Sequence, residues 1–384
     1  MTSDKLQVSS QKSLVVPVCA NAEMQNLINT SIVFNYLRDH GSAYRAQMAR
    51  ELGISAPAVS RAIDNLLKEG YVQESEKIPV TTGKKAAQVS IKADYGYIVG
   101  VDLIADPIKI AISDFSGKIA SSYVATPCKA GTDFSEYLNS SISQSIRAFR
   151  RKCSKPDAAI LAIGIGVPAI VNPETGELIG AVLYDNIANS NFYKRVSLKF
   201  KVPVFIENIS NLAALAEYKH GAGRGTKNLL FVNISRGIGA GIIIDGNLYR
   251  GSNGAAGEIG YFLTNSEGLT YDNSRIGYLE SVASIDAIYC EKSDRNKIID
   301  HLALSIANIL FTLNPEMVLI GGAICEIENA DTRFIEPLIA KVLNAYPFRP
   351  IAIRKASLGA EASLIGAIQI ALDAIVVHEY PYKL

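Results

Sequence analysis

Apolar positions recur at helical spacing in the first part of this chain and gather into strand-like runs beyond Tyr95. From Asn26 to His40, Leu27, Ile28, Ile32, Phe34, Tyr36 and Leu37 give a helical pattern that stops at Gly41. Arg45 to Leu52 reads as a short second helix, with Met48, Ala49 and Leu52 inward and Gly53 as its end. Ser55 is expected to cap a third helix, where Pro57 is tolerated because first-turn amides lack intrahelical partners. Val59, Ile63, Leu66 and Leu67 make one apolar face, leaving Ser60, Arg61, Asp64 and Lys68 on the other.

Two short helices joined by "LGIS" and followed by a longer one match a helix-turn-helix, whose second helix enters the major groove of DNA. The residues placed to meet bases are Ser55, Ala56, Ser60 and Arg61. Next, "YVQESEKIPVTTGKKAAQVSI" reads as two strands around a Gly83-Lys84-Lys85 tip, a wing whose Lys84 and Lys85 would meet phosphates or a minor groove. A small helical domain that binds a partner protein is the alternative reading.

The texture then changes. "YIVGVDLIADPIKIAISDFSGKIASSYVA" holds successive strands with a hairpin turn at Asp-Phe-Ser-Gly, followed by a helical stretch over 134–149 and a buried strand in "AAILAIGIGVPAIV". A second cycle starts at "NLLFVNISRGIGAGIIIDGNLYRG", with a hairpin turn at Asp245-Gly246. "LNPEMVLIGGAI" ends a helix, makes a strand and turns on Gly321-Gly322. Two strand-rich blocks, each followed by helices, predict two α/β lobes around a cleft.

Length and charge refine this picture. A chain of 384 residues has room for two or three domains. Its net charge of +1 conceals a split: residues 1–92 hold 11 Lys/Arg against 8 Asp/Glu, and the remainder 27 against 29. At +3 the first module is too weakly basic for charge alone to establish nucleic-acid binding, so the helix pattern carries that reading. Five scattered cysteines without a C-x-x-C pair read as reduced thiols, and no apolar run approaches the roughly 18 residues of a membrane span. No secretory signal is recognised at the N-terminus. A cytoplasmic protein is expected.

"YIVGVDL", "AIGIGVPAIVNPETGEL", "ENISNLAALAE", "ISRGIGAGIIIDGNLYRGSNGAAGEIG" and "LNPEMVLIGG" together resemble the ROK family of repressors, open reading frames and sugar kinases, over nearly the whole chain. The resemblance implies a winged helix-turn-helix followed by a two-lobed module with the actin-like ATPase (ribonuclease H-like) fold. The expected layout is a flexible tail at 1–20, the DNA-binding domain at 21–92, a first lobe at 93–207 and a second at 208–360. A C-terminal helix within 361–384 would return to the first lobe.

The departures from the family's kinases carry the functional reading. Their first phosphate loop resembles D-x-G-G-T, where glycines let backbone amides approach phosphate. Here it reads Asp102-Leu103-Ile104-Ala105-Asp106, and Arg236 takes the place of a threonine in the second loop. The kinases also carry N-D-x-N, whose Asp is the general base for the sugar hydroxyl. Counting back from Glu217 puts Asn208 on the first Asn, Ile209 on the Asp and Asn211 on the second Asn. Isoleucine cannot accept a proton, and loss of a general base typically costs about 10²–10⁴ in rate. No catalytic residue is therefore assigned. The family's zinc motif has also lost its ligands: Tyr261 replaces the His, and 269–278 contains no cysteine. Neither metal nor cofactor is expected.

By the same resemblance, Asn208, Glu258 and Glu280 match residues that bond sugar hydroxyls, and Tyr261 can still donate a hydrogen bond. Asp185 and Asn186 lie where the other lobe would line the cleft. A structural role for Glu258 and Glu280, such as bracing a loop, is the alternative. The expected protein is a sugar-responsive regulator, a repressor released from operator DNA by a sugar or polyol, acting as a homodimer or tetramer. Ile209 favours a ligand with fewer hydroxyls, such as a pentose, a deoxy sugar or a cyclitol. A bifunctional sugar kinase with a DNA-binding domain and a ligand-independent DNA-binding protein are the competing readings.

Overall fold

The computed structural model describes residues 22–76, 78–79, 85–104, 107–128, 131–179, 192–272, 276–290, 294–348 and 351–377, with backbone alone at 22–24, 78–79 and 85. The chain separates into two compact units, Met1–Ser90 and Ile91–Leu384.

In the first unit, α1 (Ala22–His40), α2 (Arg45–Leu52) and α3 (Ala56–Lys68) pack together. A three-stranded sheet places Gln88–Ile91 between Ser42–Tyr44 and Val72–Glu74. Ile78–Pro79 pairs antiparallel with Lys85–Ala86, a short hairpin within the stretch read as a wing. Phe34, Leu37, Met48, Val59, Ile63 and Leu66 are in the core, as the helical spacing predicts, and Val33 joins them. Three details differ. Ile28 and Ile32 are 43% and 38% exposed, because the buried stripe of α1 runs instead through Thr30, Val33 and Leu37. Leu67 is only half-buried. Ser55 has the extended backbone of an N-cap, but its side chain makes no capping hydrogen bond.

The second unit contains two five-stranded sheets of the same design. In the first lobe, β1 (Tyr97–Asp102), β2 (Lys109–Asp114) and β3 (Ile119–Val124) form an antiparallel meander. Helix α4 (Phe134–Lys152) leads to β4 (Ile160–Val167), parallel to β1, and α5 (Phe192–Phe200) to β5 (Val204–Asn208), parallel to β4. Helix α6 (Ile209–His220) follows directly. The second lobe repeats the plan: β6 (Leu229–Ile234), β7 (Ile238–Ile244) and β8 (Asn247–Tyr249) make the meander. Beyond α7 (Tyr278–Ala283) and α8 (Arg295–Leu313) come β9 (Met317–Gly321) and β10 (Ala352–Lys355), each parallel to its inner neighbour. The turn joining β7 to β8 has φ of 49° at Asp245 and 79° at Gly246, the left-handed pair that a two-residue hairpin requires.

Every residue of β1 is buried. Such a run is what a strand covered on both faces needs. One of its covers is α9 (Ala362–Val377), which packs on β1 and β4 and against α6, while α6 packs on β6 and β7. Glycine permits the closest of these approaches. A Cβ on Gly164 would lie 1.8 Å from the Ala367 carbonyl oxygen, and one on Gly366 would lie 2.1 Å from that of Leu212. Residues 359–376, with mean hydropathy 1.5, are long and apolar enough to cross a membrane, which corrects the sequence reading. Their hydropathy has a packing explanation here, since 67% of the stretch is buried in the protein.

Candidate functional site

The end of β5 and the start of α6 stand at the mouth of a cleft of about 960 Å³ within the second unit. Asn208 is the N-cap of α6: its Oδ1 accepts from the Ser210 amide at 2.7 Å, and its Nδ2 donates to the Ala169 carbonyl at 3.1 Å. Ile209 follows as the first helical residue, 8% exposed, and forms part of the cleft wall. A hydrocarbon therefore lies beside the sugar-matching amide.

The same cleft is also lined by Glu258, Tyr261 and Glu280. Two loops bring them together by close backbone contact, since a Cβ on Gly277 would sit 2.2 Å from the Gly260 carbonyl oxygen. Glu280, on α7, accepts from the Ile238 amide at 2.9 Å, so it braces the glycine loop between β6 and β7 as well as facing the cleft. Its carboxyl is pushed above the ordinary range, chiefly by burial. Burial, then the Glu280 charge, raises the Glu258 carboxyl from 4.5 to about 7. The Tyr261 hydroxyl is also raised, by burial and by both carboxylates. Two carboxyls and a phenol hydroxyl gathered in one cleft are hydrogen-bonding groups that a polyhydroxylated ligand complements.

The remainder of the cleft is lined by Asp102, Lys109, Asn233, Arg236, Asp286 and Glu326, among others. Asp102 is buried, and desolvation raises its carboxyl. It accepts from the Ile104 amide at 2.8 Å and from the Ser363 hydroxyl of α9. Arg236 pairs with Asp286 at 3.6 Å and Lys109 with Glu361 at 3.8 Å. A side chain, Ile104, thus occupies the first loop, and the second loop's cation already has a carboxylate partner.

The sequence reading passed over two interactions here. Glu207, 3% exposed, pairs with Arg250 at 2.6 Å. Its other oxygen accepts from the Asn208 amide and the Asn211 side chain. Glu217 is fully buried and accepts from the amides of Ala222, Ser357 and Leu358, tying α6 to the segment before α9. The signal for both was a carboxylate inside an apolar run, a position that requires partners. Among the described residues no group of three His, Cys, Asp or Glu side chains could hold a metal. The segment that matches the family's zinc motif is braced by Thr264 against His301 and by edge-on contacts of Tyr278 with Tyr271 and His301. Asp185 and Asn186 lie outside the described residues.

In the first unit, Ser55, Ala56 and Arg61 are exposed and Ser60 is half-buried, all on the N-terminal half of α3 or at its cap. Arg45 holds this helix by bonding the Ser60 carbonyl at 3.2 Å, Asp64 at 2.9 Å and Glu74 at 3.0 Å. Lys84 lies outside the described residues, as does the side chain of Lys85.

Comparison with known proteins agrees with this arrangement. Residues 28–77 match the MarR family, and residues 98–299 and 290–374 match the ROK family. A xylose repressor of Caldicellulosiruptor bescii is 30% identical over 79% of this chain and 84% of its own length. The DNA-binding transcriptional dual regulator NagC of Escherichia coli is 24% identical over 83% of this chain and 86% of its own. Among solved structures, a ROK family transcriptional regulator homologous to the E. coli MLC protein superposes with a TM-score of 0.71 at 19% identity, covering 93% of this chain and 99% of its own. A ROK family glucokinase from Streptomyces griseus, solved with glucose and AMPPNP, gives 0.58 at 23% identity over 72% of this chain and 99% of its own. With its helix-turn-helix unit and its paired five-stranded sheets, the chain belongs to the ROK family.

Proposed function

We propose that this protein is a sugar-responsive, DNA-binding transcriptional repressor whose kinase-like module holds a sugar or polyol without phosphorylating it. The observation that carries the reading is the composition of one cleft. Asn208, Glu258, Tyr261 and Glu280 line it, while Ile209 takes the place of the proton acceptor. A pocket that keeps hydroxyl partners but carries a hydrocarbon at the position matching the kinases' base can bind and report. The names of its relatives, a xylose repressor and a DNA-binding transcriptional dual regulator, support the same direction.

In this reading the protein acts in the cytoplasm as a homodimer or tetramer, and Ser55, Ala56, Ser60, Arg61, Lys84 and Lys85 face operator DNA. Effector between the lobes favours one interlobe angle, and that angle sets the separation of paired recognition helices. Half-sites lie about 34–36 Å apart per turn of DNA, so a modest rotation misplaces one helix. The effector must bind the two conformations unequally for this to work. Asp185 and Asn186 are assigned to the effector by the family resemblance alone.

The test is a melting-temperature screen of monosaccharides and cyclitols, with and without ATP, followed by operator titration with each ligand that stabilises. Stabilisation by a pentose or cyclitol, no phosphorylated product, and weakened operator binding are expected. A complete panel without effect, or a phosphorylated sugar, overturns the reading. Equal affinity for glucose and xylose removes the preference assigned to Ile209.

A further inference from the structure

The Glu207–Arg250 pair joins two lobes at the point where the candidate pocket is assembled. Glu207 ends the first-lobe sheet on β5, and Arg250 directly follows β8 of the second. The carboxylate is 3% exposed and accepts from Arg250 Nε at 2.6 Å. A buried carboxylate with one cationic partner holds that partner firmly, because separation would leave its charge unpaired.

Each partner is also the first link to a pocket residue. On one side, Glu207 Oε1 accepts from the Asn208 amide at 2.9 Å and from Asn211 Nδ2 at 3.0 Å. The same carboxylate thus fixes the residue before α6 and its first turn, where Asn208 and Ile209 face the cleft. On the other side, Arg250 opens the segment 250–258, which ends at Glu258. That segment touches the first lobe again at Gly254, whose Cβ would lie 2.0 Å from the Val171 carbonyl oxygen. It is then pinned to its own sheet by the Ala240 amide, which donates to the Gly257 carbonyl at 2.7 Å.

We propose that Glu207 and Arg250 form an interlobe latch that positions the two walls of the effector pocket, Asn208 from the first lobe and Glu258 from the second. This deepens the function proposed above and rests on it for the word effector, but the latch itself is made by side chains of the protein alone. Segment 250–258 is then a strap: when the lobes rotate, the pair must break or carry the strap with it. Both are positioning residues; the Arg250 guanidinium acts on the ligand only through Glu207 and through the strap.

Amide hydrogen exchange on the full-length, ligand-free protein tests the latch. The variants are Arg250→Met, which keeps the stem and removes the charge, Glu207→Gln, which keeps the shape, and Arg250→Lys as the conservative control. The latch requires exchange in both 208–212 and 250–258 to rise at least tenfold in Arg250→Met and in Glu207→Gln. Amides held by Glu217, those of Ala222, Ser357 and Leu358, should remain at wild-type rates. Arg250→Lys should restore much of the protection. A rise confined to 250–258, or a uniform rise through both lobes, overturns the proposal, since it marks a local loop contact or a general loss of stability. Should Glu207→Gln fail to fold, the two-sided rise in Arg250→Met alone still decides. D-xylose titrated into wild-type protein reports separately on sugar sensing, so failure of one proposal leaves the other standing.

Discussion

Burial and the neighbouring Glu280 carboxylate hold the Glu258 carboxyl at about 7, well above its ordinary value of 4.5. A ligand that donates hydroxyl protons to Glu258 favours the ionised form, so binding below this pKa releases a proton. Effector affinity should therefore rise with pH up to about 7 and level off above it, approaching tenfold per unit on the acidic side if only the carboxylate binds. Ligand-free stability runs the other way. A carboxyl whose folded pKa is raised contributes stability that is fully present below 4.5 and is lost as pH rises through about 7. Calorimetric titration at pH 5.5 and 8, with Glu258→Gln as control, checks this. A pH-independent affinity in the wild type would remove Glu258 from the pocket chemistry.

Glu217 acts on stability rather than on the ligand. It is fully buried, and its carboxylate accepts from three backbone amides, at 2.8, 2.7 and 2.6 Å. Glu217→Ala strands these donors at about 1–3 kcal/mol each, less whatever water repairs, so a loss on the order of 3–5 kcal/mol is expected. Denaturant unfolding followed in the second unit should show a lowered midpoint with little change in DNA binding by the first. An unchanged midpoint would mean that the amides have found other acceptors.

How much of this was legible in the sequence differs between the units. The helices around Gly53 could be placed because apolar spacing and glycine stops coincide there, and Met48, Val59, Ile63 and Leu66 are buried. The surface of α1 was misjudged at Ile28 and Ile32, since spacing alone does not say which of two apolar stripes meets a partner. In the cleft, matching motifs singled out Asn208, Glu258, Tyr261 and Glu280, and the four line one cavity. Glu207 with Arg250 and Asp102 with Ser363 were not found, because each joins residues distant in sequence that meet only through the packing of two lobes and α9. No local pattern encodes such a pair.

The recognition surface gives a third prediction. Arg61 is exposed on α3, whereas Arg45 is spent on Ser60, Asp64 and Glu74. If Arg61 reads a base edge, Arg61→Ala should cost about 1–3 kcal/mol in operator binding and relax preference at one base position. Lys84→Ala, as a phosphate contact, should weaken binding to every sequence alike and lower the slope of log affinity against log salt by about 1. Fluorescence anisotropy with operator variants selected from random DNA, run at several salt concentrations, separates the two. Equal losses on all sequences for Arg61→Ala would reassign it to the backbone.

The last prediction concerns Ile209. Restoring a carboxylate there, as Ile209→Asp, should not produce a kinase. The new acid would supply a proton acceptor at the start of α6, a step that ordinarily contributes about 10²–10⁴ in rate. Phosphoryl transfer also needs its phosphates cradled and their charge neutralised. The first loop still presents Ile104, with Asp102 committed to the Ile104 amide and to Ser363, and Arg236 remains paired with Asp286. The substitution also buries a carboxylate at a position only 8% exposed, so the variant should melt earlier than the wild type. Mass spectrometry of xylose and glucose incubated with ATP should find no sugar phosphate with either protein. A product from the variant alone would show that the base was the only part missing, and the phosphate loops would then have to be read as competent.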